Sequence, residues 1–238
     1  MPALTGKTVI VTGASRGIGL EFVKQLASKG NKVVAACRQP DAAKEKLQQI
    51  EGDIAITQLD VASPTSIEKW ASEVQQLAPH VDVLINNAGV YGERINLDTV
   101  TSQHMLEVFQ INTIGPLIVV QQLRKHALLG GSKGSTIIAN VTSKVGSIAD
   151  NKSGGGYAYR SSKSALNIIT KSLSIDLESE NVVATLLHPG YVKTDMTNGN
   201  GLITKEESVA GMLAVLENHS EEELQGTWRD YKDELIAW

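Results

Sequence analysis

The stretch Thr8-Val9-Ile10-Val11-Thr12-Gly13-Ala14-Ser15-Arg16-Gly17-Ile18-Gly19 runs from a β-branched apolar segment through three glycines into an amphipathic segment over 17–29. A strand, a glycine-rich turn and a helix in direct succession bring backbone N–H groups and a helix N-terminus to one place, where the helix dipole favours a pyrophosphate. Outward from this stretch, short apolar runs recur at 32–37, 54–59, 81–86, 136–141, 182–187 and 227–231. Helical patterns fill the intervals at 41–50, 64–77, 101–129, 157–179 and 205–218. This alternation predicts a doubly wound α/β fold: a seven-stranded parallel sheet with helices on both faces. Ser63-Pro64 marks one helix start, with a capping serine and proline at the first helical position. The glycine-bearing stretches at 130–134 and 153–156 are short and internal, so they read as loops, and residues 1–238 as a single domain built around the glycine turn.

Composition narrows the class. With 42% hydrophobic and 20% charged residues, the chain can bury an ordinary globular core. A net charge of −4 and the lack of a Lys/Arg cluster argue against a nucleic-acid surface. The single cysteine, Cys37, forms no internal disulfide, and the N-terminal apolar run 9–11 is too short for a signal core or a membrane span. A cytoplasmic protein with no membrane partner is therefore expected. The five histidines show no ligand spacing, so no metal is expected, and His188 reads as structural.

Further motifs follow in order: Asn86-Asn87-Ala88-Gly89 closing the fourth strand, Asn112 in the next long helix, Asn140-Val141-Thr142-Ser143 closing the fifth, then Tyr159-Arg160-Ser161-Ser162-Lys163 and Pro189-Gly190-Tyr191-Val192-Lys193-Thr194. The spacing Gly-xxx-Gly-x-Gly departs from the Gly-x-Gly-x-x-Gly of other Rossmann-like folds. Together these motifs resemble the short-chain dehydrogenase/reductase family, and within it the carbonyl reductases of the sniffer/C-factor type. The resemblance implies that Gly13, Ser15, Arg16, Gly17, Ile18 and Gly19 hold a dinucleotide. It further implies that Asp60 and Val61 touch the adenine, that Asn87 and Gly89 floor the pocket, and that Val192 and Thr194 lie beside the nicotinamide carboxamide. Many family members also pair through two long helices, corresponding here to 101–129 and 157–179, which admits a homo-oligomer.

The residues themselves carry chemical arguments. Tyr159 and Lys163 are four apart and share a helix face. An ammonium beside a phenol stabilises the phenolate, so Lys163 is expected to lower the Tyr159 pKa. Tyr157 has Ser161 at the same offset and lacks such a partner. Ser143 directly follows an apolar strand, at the carboxyl edge where ligands bind in open α/β sheets, and can polarise a carbonyl. Its sixteen-residue separation from Tyr159 exceeds the family's usual one, which brings Ser147 into consideration. Ser143 is preferred, with 151–156 as an inserted loop. Pro116 lacks an N–H and so deprives the Asn112 carbonyl of its helical donor; a kink and a free acceptor for a water relay are expected.

Cofactor choice rests on the end of the second strand, Val33-Val34-Ala35-Ala36-Cys37-Arg38. An acidic residue there would accept from a ribose 2′-OH. Cys37 stands in that place, and Arg38 and Arg16 are expected to converge on a 2′-phosphate, selecting NADPH. The expected activity is NADPH-dependent reduction of a small aldehyde, ketone or quinone, with the reverse oxidation equally available. Asn112, Ser143, Tyr159 and Lys163 would be the catalytic set, and 197–204 is expected to border an open, tolerant pocket. The rival reading is a dinucleotide-binding signalling or regulatory protein with little turnover.

Overall fold

A computed structural model describes residues 4–238, so the first three residues of the domain expected over 1–238 lie outside it. The elements are β1 (Thr8–Thr12), α1 (Gly17–Ser28), β2 (Lys32–Cys37), α2 (Pro40–Gln48), β3 (Asp53–Gln58), α3 (Pro64–Leu77) and β4 (Val83–Asn86). They continue with α4 (Ser102–Phe109), α5 (Gly115–Lys125), β5 (Thr136–Val141), α6 (Tyr157–Asp176), β6 (Val182–His188), α7 (Lys205–Asn218), α8 (Glu221–Leu224) and β7 (Trp228–Asp230). The seven strands form one sheet in the order β3-β2-β1-β4-β5-β6-β7, every neighbouring pair parallel. The doubly wound architecture read from the sequence is the one observed.

Strand side chains alternate between two cores. Val9 and Val11 pack on the α1 and α7 side with Phe22, Leu26 and Met212, whereas Ile10 packs on the other side with Trp70, Val119 and Leu123. Each of these large apolar side chains is fully buried and contributes on the order of 1.5–3 kcal/mol. Because both faces are covered, the strands read as continuous apolar runs. The start of α3 is capped as its sequence announces: the Ser63 side chain accepts from the Ser66 N–H at 3.3 Å, with Pro64 in the first turn. No helix of the described residues is long and apolar enough to cross a membrane.

Several expected boundaries are corrected. The third strand begins at Asp53 and ends at Gln58 rather than spanning 54–59, and β4 begins at Val83 rather than at 81. The helix expected over 157–179 ends at Asp176 and gives way to a 3-10 turn. The largest change concerns 101–129, which divides into α4, a π-helical turn at Gln110–Ile114 and α5. The Gly115 N–H reaches back to the Gln110 carbonyl, so the widened turn absorbs the disturbance expected from Pro116, which lies in the first turn of α5.

β1 and β4 are adjacent at the centre of the sheet, and the chain winds away from them in opposite directions. Such a switch point opens a crevice at the carboxyl ends of the strands. The glycine turn after β1 and the Asn87 segment after β4 both end there.

Candidate active site

The two central turns are tied directly together. The Thr12 hydroxyl oxygen accepts from the Asn87 and Ala88 N–H groups at 3.1 Å each, and the Asn87 side-chain amide donates to the Thr12 carbonyl at 2.9 Å. This closeness requires glycine at two positions. Gly13 has φ +68°, and a Cβ on it would stand 2.9 Å from the Ala88 Cα. A Cβ on Gly19 would come within 2.2 Å of the Gly13 carbonyl oxygen, which no adjustment of a side chain relieves. The turn therefore presents bare backbone at the start of α1, with Ser15 and Ile18 partly buried in it. Thr194 closes on this turn from the opposite side, its methyl facing Gly17.

The other expected dinucleotide contacts surround the same crevice. Val61 is buried just beyond β3, and Asp60 caps its own turn by accepting from the Ala62 N–H at 3.0 Å. Gly89 stands beside the Asn112 amide and the Lys163 ammonium, and Val192 is buried below Thr194. Cys37 ends β2 buried, and desolvation pushes its thiol up, keeping it neutral. Arg38 follows it, exposed, and makes no ion pair among the described residues. Arg16 does not converge with it here: its guanidinium pairs with Asp195 at 3.7 Å, across the mouth of the crevice.

α6 brings Tyr159 and Lys163 to the end of β5. A buried polar chain fixes its position: Asn86 donates to Asn140 at 2.9 Å, Asn140 donates to Thr170 at 2.8 Å, and Thr142 donates to Asn167 at 2.7 Å. Each bond leaves few buried polar groups unpaired between sheet and helix. Lys163 is 4% exposed and its Nζ donates to the Val141 carbonyl at 2.9 Å. Burial draws its pKa down to about 8. Burial likewise pushes Tyr159 up to about 12, against the lowering effect of a hydrogen bond from Ser143. The expected lowering of Tyr159 by Lys163 is thus reversed. The ammonium lies 5.9 Å from the phenol ring centroid and is held by a carbonyl, and loss of water, reinforced by the neighbouring Tyr91, sets the direction of the shift. At neutral pH both groups carry their protons.

Ser143 and Tyr159 line one pocket, together with Tyr91, Val145, Tyr191 and Met196. Ser147 is elsewhere: it is 2% exposed, accepts from the Asp150 N–H at 3.1 Å and donates to the Trp238 carbonyl at 3.3 Å, anchoring a loop to the C-terminal segment. Asn112 is fully buried, and its side chain is what the structure shows engaged. It accepts from the Val90 N–H at 2.9 Å and donates to the Val90 carbonyl at 2.8 Å and the Ser162 hydroxyl at 3.1 Å, clamping the segment after β4 to α6. His188 is outside the pocket and accepts from the Lys144 N–H at 3.3 Å. Burial pulls its pKa down to about 4, consistent with a neutral acceptor, while Asp230 opposes the shift and Lys144 adds to it.

The pocket border differs from the expected 197–204. Tyr191, Met196 and Thr197 line it, whereas Leu202 and Ile203 turn back to donate to the Tyr191 carbonyl. The sequence reading also missed Tyr91, whose ring stacks on Tyr159 with centroids 4.9 Å apart, and the pocket arginines Arg94 and Arg160. An aromatic residue two positions past the Asn-Asn-Ala-Gly motif was the available signal for the first. Nothing local marks the arginines.

Comparison with known proteins bears on the fold and the family. Residues 7–202 match the family model for short chain dehydrogenases. The NADPH-bound carbonyl reductase from chicken fatty liver is 36% identical with a TM-score of 0.87, covering 100% of both chains. The carbonyl reductase Sniffer of D. melanogaster is 31% identical with a TM-score of 0.89, over 98% of this chain and 100% of that one. Among curated relatives, the C-signal of Myxococcus xanthus is 43% identical over 66% of this chain and 93% of its own length. A Rhodococcus protein named 1-hydroxy-2-glutathionyl-2-methyl-3-butene dehydrogenase is 35% identical over 97% of this chain and 99% of its own. By the family model over residues 7–202, and by the likenesses that span nearly the whole chain, the chain belongs to the short-chain dehydrogenase family.

Proposed function

We propose that this protein reduces small carbonyl compounds with NADPH, and oxidises the corresponding alcohols with NADP+. The observation that carries the reading is the meeting of a protonated Tyr159 phenol, Lys163 and Ser143 at one end of a crevice whose other end is a glycine cradle that a Cβ would fill. The cradle fits a dinucleotide, with Gly13, Ser15, Gly17, Ile18 and Gly19 receiving the pyrophosphate, Asp60 and Val61 meeting the adenine, and Asn87 and Gly89 flooring the pocket, Gly89 on the Lys163 side. Val192 and Thr194 border the nicotinamide. The neutral Cys37 thiol and the free Arg38 guanidinium favour a 2′-phosphate over a 2′-OH, and Arg16 can join once it leaves its exposed pair with Asp195. The likeness to an NADPH-bound carbonyl reductase supports the same choice.

When bound, the reduced nicotinamide supplies the hydride that the carbonyl carbon accepts. Ser143 donates a hydrogen bond to the carbonyl oxygen, and Tyr159 gives that oxygen its proton. A phenol raised to about 12 is fully protonated at neutral pH and so stands ready as the acid. The phenolate left behind is stabilised by Lys163, whose charge is retained below about pH 8. Asn112 keeps the Val90 segment and α6 in register, which holds Lys163 toward the crevice beside Gly89; a water on the Asn112 carbonyl would then return protons to Lys163. The likeness to C-signal leaves a regulatory role as the second reading. A panel of aldehydes, ketones and quinones, with loss of reduced-nicotinamide absorbance as readout, separates the two. Turnover that depends on NADPH supports the reductase, and silence across the panel favours the regulatory protein.

A further inference from the structure

The wall of the pocket opposite the cradle carries charge that the reaction does not use. Arg94 and Arg160 both line it, and no aspartate or glutamate of the described residues does. The Arg94 guanidinium lies 5.4 Å over the Tyr91 ring and makes no ion pair among the described residues. Its neighbour Glu93 is engaged elsewhere, 3.1 Å from His104. Arg160 donates to the Val145 carbonyl at 3.2 Å and the Ser153 hydroxyl at 2.7 Å, both neutral, so its charge too is uncompensated. Tyr91 stands between Arg94 and the reacting group, stacked on Tyr159, whereas Arg160 enters the same pocket from α6 beside Val145. Arg16 and Arg38, at the glycine turn and the end of β2, are separate from this pair and serve the other end of the crevice.

We infer that the pocket selects carbonyl substrates bearing a carboxylate one flat apolar spacer away from the carbonyl, with Arg94 and Arg160 as the specificity-determining residues. The inference rests on the reductase reading and names its substrate class. With the carbonyl oxygen at Ser143 and Tyr159, a planar spacer would lie along Tyr91, between Val145 and Met196, and its far end would reach the guanidinium groups. A guanidinium offers paired N–H donors that match a carboxylate; Arg94 is exposed and Arg160 half-buried, so the contact is made at the pocket rim and is screened by solvent. A neutral substrate of the same shape would leave both charges unanswered.

The test compares para-carboxybenzaldehyde with its methyl ester, using the full-length protein and NADPH at low and raised salt. The ester is the more electrophilic aldehyde, so intrinsic reactivity works against the expected result. We expect kcat/KM to favour the carboxylate by about tenfold, mainly through KM, as charge-assisted hydrogen bonds of this kind would give. The preference should shrink as salt is raised, and in Arg94→Gln it should fall to about twofold, with Arg160→Gln moving the same way. Equal constants for the two compounds in the wild type overturn the inference while leaving the reductase reading in place, as does a preference unchanged in both variants. Consumption of NADPH with neither compound, nor with the wider panel, overturns both. The wild-type ratio and its salt dependence need no variant to fold.

Discussion

The two ends of the crevice are built on different principles. The cradle end is made of residues close together in sequence, Thr12 to Gly19, braced by the segment after β4 through Thr12 and Asn87 and faced by Thr194. Its function lies in backbone, and side chains enter it mainly by their absence. The carbonyl end is gathered from four separate segments, contributing Tyr91, Ser143, Tyr159 and Tyr191. Its function lies in side chains whose burial sets their chemistry, as the opposite shifts of Tyr159 and Lys163 show. A local backbone device can be shared by many enzymes, whereas the gathered wall is free to vary with the substrate.

The sharpest break of this comparison is Tyr159→Phe. It should lower kcat by about three orders of magnitude while NADPH affinity stays within a few-fold, because only the proton donor is lost. Stopped turnover with intact cofactor binding, read by fluorescence titration of NADPH, would show the two ends to be separable; parallel loss of both would show them to be one unit. Ser143→Ala should cost about a hundredfold in kcat. Ser147→Ala should instead lower thermal stability by about 1 kcal/mol with turnover largely kept, since Ser147 holds Asp150 and Trp238. The reverse ranking in activity would move the hydroxyl donor to Ser147 and redraw the pocket.

At the cradle end, Arg38→Ala should reduce the ratio of kcat/KM for NADPH over NADH by about 10- to 100-fold, since one charge-assisted contact is worth ~1.5–3 kcal/mol. An unchanged ratio would remove Arg38 from the 2′-phosphate. The last effect is on stability and concerns the loop bearing Ser143. His188 has its pKa lowered to about 4 in the folded state, so the unfolded chain binds the extra proton between pH 6.5 and 4. The stability present above pH 6.5 is therefore lost as pH falls through this window. By pH 5 the loss should be about 2 kcal/mol or less, and His188→Asn, which keeps an acceptor for the Lys144 N–H, should abolish it. Denaturant titrations at pH 7 and pH 5 measure the difference; identical acid slopes in both proteins would exclude His188 as its source.

Much of this was legible in the amino-acid order alone. The alternating apolar runs and amphipathic stretches determined a seven-stranded, doubly wound sheet, because strands covered on both faces need continuous apolar sequence and each crossover needs a helix. The glycines determined the cradle, since close backbone approach leaves no alternative residue. The i,i+4 spacing placed Tyr159 and Lys163 on one helical face. The tertiary structure alone decided the rest. The π turn at Gln110–Ile114 displaced the simple kink expected from Pro116, and the Asn112 side chain emerged as a clamp between Val90 and Ser162, a pairing of residues far apart in the chain. The sign of the Tyr159 shift was decided by burial, which a spacing rule does not contain. Tyr91, Arg94 and Arg160 became one wall only after the segment following β4 had been held against α6 through Asn112, because such proximity is set by the order of elements in space and leaves no trace in the spacing of residues along the chain.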